Sequence, residues 1–165
     1  MQLLISDANI LIDIEEGGLI QQLFQLPYEF SIPDVLFQEE MEEQHSQLLD
    51  YGLQLGELSG ETMLYAMEII PRYQRASRND CFALALAKQE DCLLLTGDKA
   101  LRIAAEKEAV IVKGTIWLIS QMVRHQLIEI NVARQAYILM QSAGRRLPWD
   151  MAEQSLIEHE KEIPQ

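Results

Sequence analysis

The sequence predicts an α/β fold: a three-layer α/β/α sandwich with a central parallel sheet, extended by extra C-terminal helices. Short apolar runs such as Leu3-Leu4-Ile5 and Leu93-Leu94-Leu95 alternate with amphipathic stretches of roughly 10 to 15 residues, the rhythm of βαβ units. Those runs are apolar at successive positions, so both faces of the strands are expected to be covered, as in parallel sheets. With 165 residues, 48% hydrophobic and 24% charged, the chain can bury a core without staples and is unlike a disordered or fibrous polypeptide.

Gln2 to Ser6 reads as a buried strand closed by Asp7. From Ala8 the apolar residues Ile10, Leu11 and Ile14 fall at helical spacing until Gly17-Gly18 stops them, and Leu19 to Phe24 continues as a second short helix. Tyr28 to Ile32 is the next strand, after which Pro33 and Asp34 start a helix from Val35 to about His45. Leu53 to Leu58 alternates as a strand does. Ser59 caps a helix to about Ile70, ended by Pro71, and Ser77 with Asp80 forms a capping pair for a helix from Arg78 to about Gln89. Cys92 to Thr96 is a strand closed by Gly97-Asp98, Lys99 to Glu108 a helix, and Val110 to Val112 a short strand. Thr115 caps a helix to about Arg124, Asn131 caps another to about Ala143, and a polar helix with a frayed end begins near Asp150.

Composition narrows the function classes. The net charge is −13, and it is unevenly spread: residues 1–71 hold 14 acids and no Lys or Arg, while all 13 basic residues lie from Arg72 onward. Such a chain is a poor non-specific nucleic-acid binder, because phosphate binding is driven by neutralising cations. The acids suit either solvated helix faces or a site for divalent metal. Cys81 and Cys92 are too few for a disulfide framework or a zinc cluster and read as reduced core residues. No apolar run approaches the roughly 18 to 20 residues of a membrane-spanning helix and no signal-peptide pattern opens the chain, so a cytoplasmic location without a membrane partner is expected.

In open parallel sheets ligands bind outside the carboxyl ends of the strands, near the point where strand order reverses. Asp7 stands directly after an apolar strand, and Asp98 repeats the arrangement after Leu93-Leu94-Leu95-Thr96-Gly97. Either could be an ordinary helix cap, and Asp80 suits the first turn of its helix without any ligand. Glu40 falls on the apolar arc of its helix and Glu39 at its margin, so either could turn inward or stay at the surface. Several carboxylates at one edge raise one another's pKa unless a cation compensates. Mg²⁺ or Mn²⁺, which prefer carboxylate and water oxygens, would do so and would support phosphoester hydrolysis. No nucleophilic triad competes: His45, His125 and His159 are scattered and are expected at the surface. Gly17-Gly18 lacks the spacing and the Lys of a phosphate loop.

The sequence resembles the PIN-domain ribonucleases. The resemblance rests on Ser6-Asp7-Ala8-Asn9, on the run from Ile32 through Pro33, Asp34, Glu39 and Glu40 to Met41, on Ser77-Arg78-Asn79-Asp80 ahead of Ala83 to Ala87, on Leu94 to Arg102, and on Gly114-Thr115. It implies a PIN-like, Rossmann-like sandwich over residues 1–125, with residues 126–165 as a helical extension packed on that domain or on a partner subunit. It also implies an endoribonuclease with a Mg²⁺ or Mn²⁺ site in which Asp7, Asp80 and Asp98 are metal ligands, and Asp7, Asp80, Asp98 and one of Glu39 or Glu40 form the catalytic acids. Asn9 and Thr96 would support them. Phosphate contacts would have to come from Arg72, Arg75, Arg78, Lys99 and Arg102, the first three of which also suit a plain solvated helix end. Small members resemble VapC-type toxins, which implies RNA as substrate, a homodimer and a cognate antitoxin. The alternative is a catalytically idle PIN-like interaction module whose acids serve as caps; a phosphatase or DNA nuclease on the same metal centre is a third.

Overall fold

A computed structural model describes residues 1–162. The chain runs β1 (Gln2–Ser6), α1 (Ala8–Glu16), α2 (Ile20–Leu23), β2 (Tyr28–Pro33), α3 (Asp34–Glu40), α4 (Glu42–His45), α5 (Gln47–Tyr51) and β3 (Gln54–Gly56). It continues as α6 (Gly60–Arg72), α7 (Arg78–Glu90), β4 (Leu93–Leu95), α8 (Lys99–Lys107), β5 (Val112–Lys113), α9 (Thr115–Arg124), α10 (Ile130–Ser142) and α11 (Trp149–Glu162). The five strands form one sheet in the order β3-β2-β1-β4-β5, every neighbouring pair parallel. The fold is therefore the predicted α/β sandwich.

Successive side chains of a strand point to opposite faces. Leu4 and Ile5 are both 0% exposed, so β1 is covered on both sides. α7 lies over β1, β2 and β4, with α6 and α8 beside it. Its run Cys81 to Ala87 is buried without interruption, and small alanines let the helix sit close to the strands. α1, α9, α10 and α11 pack on one another as a second group of helices. None of the described helices is long and apolar enough to cross a membrane.

Element boundaries moved where a buried side chain outranked local propensity. The helix expected from Val35 to His45 breaks at Met41, which is buried at φ −129°. Pulling Met41 inward ends α3; two short helices follow, and Leu48 of the second is buried as well. α6 runs past Pro71 to Arg72, since a proline in the last turn forfeits one hydrogen bond while Tyr73 still donates to the Ile69 carbonyl. β5 starts after Val110, which is buried and donates to the Ala105 carbonyl in the left-handed turn at Ala109 that closes α8. α10 begins at Ile130, so Asn131 lies inside the helix and Glu129 takes the extended cap position after the buried Ile128. Thr115 follows the cap Gly114, and its hydroxyl is spent elsewhere, as described below. The expected frayed end falls largely on residues 163–165, outside the described residues.

Gly56 shows how tightly edge strand β3 is seated. A Cβ there would stand 2.5 Å from Leu86 Cδ2 and 3.0 Å from Ser31 Oγ. Gly56→Ala is expected to destabilise the protein by about 1–3 kcal/mol through overpacking, measurable as a lower denaturation midpoint at unchanged slope.

Candidate active site

Strand order reverses between β1 and β4: the chain moves from β1 outward to β2 and β3, then returns to β1's other side for β4. The crevice beyond the carboxyl ends of β1 and β4 is thus fixed by topology. Asp7 and Asp98 stand there as the caps of α1 and α8. The Asp7 amide donates to the Leu95 carbonyl at 3.0 Å, tying the two strand ends together.

Asp7 is 1% exposed. One carboxylate oxygen, Oδ1, accepts from the Ile10 amide at 3.0 Å and the other, Oδ2, from the Thr96 hydroxyl at 2.5 Å. Thr96 Oγ1 in turn accepts from the Asp98 amide at 3.0 Å, and Asp98 Oδ2 accepts from the Leu101 amide at 2.8 Å. Fully buried Thr96 therefore ties the Asp7 carboxyl group to the backbone of Asp98. The capping role weighed from the sequence is real at both positions, and at Asp7 it coexists with a carboxyl group held out of water. Burial pushes Asp7 up to about 7, with Asp80 and Asp13 adding repulsion against the hydrogen bonds from Thr96 and Ile10.

Asp80 sits in the first turn of α7, where its amide donates to Ser77 Oγ at 3.0 Å as the capping pair predicted. Its carboxyl is raised by burial, then by the charges of Asp98 and Glu40, against the hydrogen bonds from Ser77. Asn79, the residue before it, donates to Glu39 Oε2 and Glu40 Oε2, both at 3.0 Å. Both glutamates are exposed at the end of α3, and one amide holds them beside α7. Asp80 thus links electrostatically to Asp7, Asp98 and Glu40. Among the described residues, none of Asp7, Glu39, Glu40, Asp80 and Asp98 forms an ion pair with Lys, Arg or His.

Oxygen donors and uncompensated negative charge fit a hard divalent cation. Among the described residues, however, no three His, Cys, Asp or Glu side chains are gathered closely enough to hold a metal ion. The acids share one sheet edge, and their charges act on one another from Asp80 to Asp7 and from Asp98 and Glu40 to Asp80.

Two further polar residues belong to this edge. Asp13, one turn and a half beyond Asp7 on α1, is 7% exposed; its Oδ2 accepts from Thr115 Oγ1 at 2.8 Å and its Oδ1 from Arg145 Nε at 2.6 Å. That is where the Thr115 hydroxyl goes. Arg145 also donates from Nη2 to the Asn9 carbonyl at 3.3 Å and to Asn9 Oδ1 at 3.1 Å. Asp13 and Arg145 escaped the sequence reading because 132 positions separate them, and Asp13's place on the buried arc of α1 was the available signal. Asn79 was visible only as a polar residue in a capping turn.

The basic residues divide. Arg72 is paired with Glu108 Oε2 at 3.1 Å, at the far end of α8 from Asp98, about 15 Å along that helix at 1.5 Å per residue. Arg78 lies over the Phe82 ring, 5.2 Å from its centroid. Arg75, Lys99 and Arg102 are exposed, the last two in the first turns of α8 beside Asp98. His159 departs from expectation: it is buried, bonded through Nε2 to Ser120 Oγ at 2.6 Å, beside a cavity of about 960 Å³ between the end of α9 and α11. Ser120 lies inside α9, where the backbone amides are used by helical bonding, and its contact with His159 joins α9 to α11. Cys81 is buried and its thiol pushed up to about 11, as a reduced core cysteine requires.

An all-parallel α/β domain with carboxylates at its switch point is an architecture that many unrelated activities share. A family model described as PIN domain (DUF3368) matches residues 3–161, and the chain belongs to this PIN-domain family. PIN domains are in general nucleases and typically use divalent metals. The match extends through α10 and most of α11. No curated protein matches the chain.

Proposed function

We propose that this protein is a divalent-metal-dependent endoribonuclease that hydrolyses RNA phosphodiester bonds at the edge formed by Asp7, Asp80, Asp98 and Glu40. One observation carries the proposal: Asp7 is a buried carboxyl group, coupled through Asp80 to Asp98 and Glu40, and no cation of the described chain neutralises them. Capping accounts for single hydrogen bonds at Asp7 and Asp98; it does not account for gathering further acids at the same edge, which a bound Mg²⁺ or Mn²⁺ would compensate.

Asp7, Asp80 and Asp98 would be the ligands in this reading, drawn together by the ion, since among the described residues no three acids are gathered closely enough without it. One of Glu39 and Glu40, both held by Asn79 at 3.0 Å, is the fourth acid, and we take Glu40 because its charge raises Asp80. When bound, the cation supplies Lewis-acid activation of water and of the phosphate. The chain's own groups do the positioning. Thr96 fixes the Asp7 carboxylate, Asn79 holds both glutamates beside α7, and Arg145 orients Asn9. Lys99 and Arg102, exposed at the start of α8, are phosphate contacts. The resemblance to VapC-type toxins extends the proposal to a toxin that acts as a homodimer and is held by a cognate antitoxin.

Calorimetric titration of Mn²⁺ into the wild type and into Asp7→Asn/Asp80→Asn tests the reading. Binding by the wild type that is lost in the double variant is expected, together with a thermal midpoint raised by saturating Mn²⁺ in the wild type alone. A wild type that binds no Mn²⁺ and gains no stability from it would favour the idle interaction module, in which Asp7 and Asp98 are caps only.

A further inference from the structure

The first 71 residues contribute Asp7, Asp13, Glu39 and Glu40 to this edge and no Lys or Arg, so any Lys or Arg that faces the Asp7 side of the crevice must be brought there by a distant segment. The loop between α10 and α11 does this. Gly144, at φ +82°, turns the chain sharply after α10, and the Arg145 amide returns to the Met140 carbonyl. The Arg145 side chain then lies along the first turns of α1, spanning Asn9 and Asp13. Its charge is spent on Asp13. Arg146, the next residue, is exposed and has no ion pair among the described residues.

A cavity of about 330 Å³ opens at this place, lined by Asn9, Asp13, Gly97, Asp98, Arg145 and Arg146. It adjoins Asp98 and so continues the acidic edge. Asn9 Oδ1 is occupied by Arg145, which leaves the Nδ2 donor of Asn9 for the cavity. The cavity therefore carries an uncommitted guanidinium and an uncommitted amide N–H beside a carboxylate edge that repels phosphate.

We propose that this cavity binds a backbone phosphate of the RNA strand beside the one being cleaved, with Arg146 as the charge contact, Asn9 as the neutral donor, and Arg145 as the anchor that places both. The inference rests on the nuclease reading and gives it the cationic side that the N-terminal half lacks. A guanidinium suits the role because it stays charged and pairs with phosphate in a fixed fork. Asp13 keeps Arg145 from competing for the phosphate.

The test measures binding without cleavage. A fluorescein-labelled single-stranded RNA oligonucleotide is titrated with wild type, Arg146→Ala and Arg146→Lys in EDTA, by anisotropy between 50 and 200 mM KCl. Arg146→Ala is expected to weaken binding about 5- to 20-fold at the lowest salt and to reduce the slope of log K against log salt by about 0.7, the loss of one phosphate contact. Arg146→Lys is expected to keep the slope. Arg124→Ala, which removes an exposed cation beside the other cavity, is expected to change neither. Equal affinity and slope for wild type and Arg146→Ala, or no RNA binding by the wild type, would overturn the proposal. If the wild type nevertheless cleaves RNA with Mn²⁺, the nuclease reading stands without the phosphate cavity. A slope change at Arg146 in a protein that cleaves nothing would strike the nuclease reading instead.

Discussion

Asp7→Asn is expected to lower Mn²⁺-dependent RNA cleavage by about 10³-fold or more while the protein stays folded. Asparagine caps a helix as well as aspartate does, so the bond from the Ile10 amide survives. Its amide N–H can donate to the Thr96 hydroxyl, reversing the present bond at that oxygen. What disappears is the charge. Cleavage at the wild-type rate would remove Asp7 from the site.

The same variant makes a second, independent prediction about stability in EDTA. Burial holds Asp7 at about 7 in the folded protein against 3.8 as its ordinary value. A carboxyl raised on folding binds more protons in the native state, so its contribution to stability is fully present below pH 4 and is lost as pH rises through 7. The loss is on the order of 4 kcal/mol at 1.36 kcal/mol per unit. Asp80, also raised, adds in the same direction. The wild type should therefore lose stability between pH 4 and pH 7, and Asp7→Asn should flatten that decline and exceed the wild type near neutrality. Denaturant midpoints across this range check it; parallel wild-type and variant curves would show that Asp7 does not titrate there.

Arg145→Ala is expected to cost about 2–4 kcal/mol, because it strands a buried charge rather than removing a contact. The Asp13 side chain is 10% exposed and that of Arg145 23%, so water cannot replace the guanidinium fully. At 2–4 °C per kcal/mol for a chain of this size, the thermal midpoint should fall by roughly 5–15 °C. Adding Asp13→Asn should recover part of the loss, since an amide at that position needs no counter-charge and still accepts from Thr115. The double-mutant cycle measures the coupling, and additive effects would mean that the pair does not hold the α10–α11 loop to α1.

The parts of this protein set by local chemistry were legible. Apolar triplets at Leu3 to Ile5 and Leu93 to Leu95 can be covered only inside a two-faced layer, which makes them strands of a parallel sheet. An Asp follows each, Asp7 at once and Asp98 after Thr96-Gly97, and each caps the next helix, so their capping positions were legible from position alone. Ser59 and Ser77 bond the amides three residues on, as their spacing predicts. The boundaries at Met41, Val110 and Asn131 moved because burial of Met41, Val110 and Ile128 is worth more than the propensity difference that set the expected boundary.

By itself, then, the sequence determined the strand and helix order, the fold class and the acids at strand ends, because each follows from residues within a turn or two. Only the tertiary structure decided which polar groups meet. Thr96 reaches Asp7 across 89 positions, Asn79 reaches Glu40 across 39 and Arg145 reaches Asp13 across 132, each through the packing of elements that share no local pattern. Burial decided the rest: the same carboxyl that is an ordinary cap in water becomes, at the closed junction of β1 and β4, a group that ionises only near neutrality.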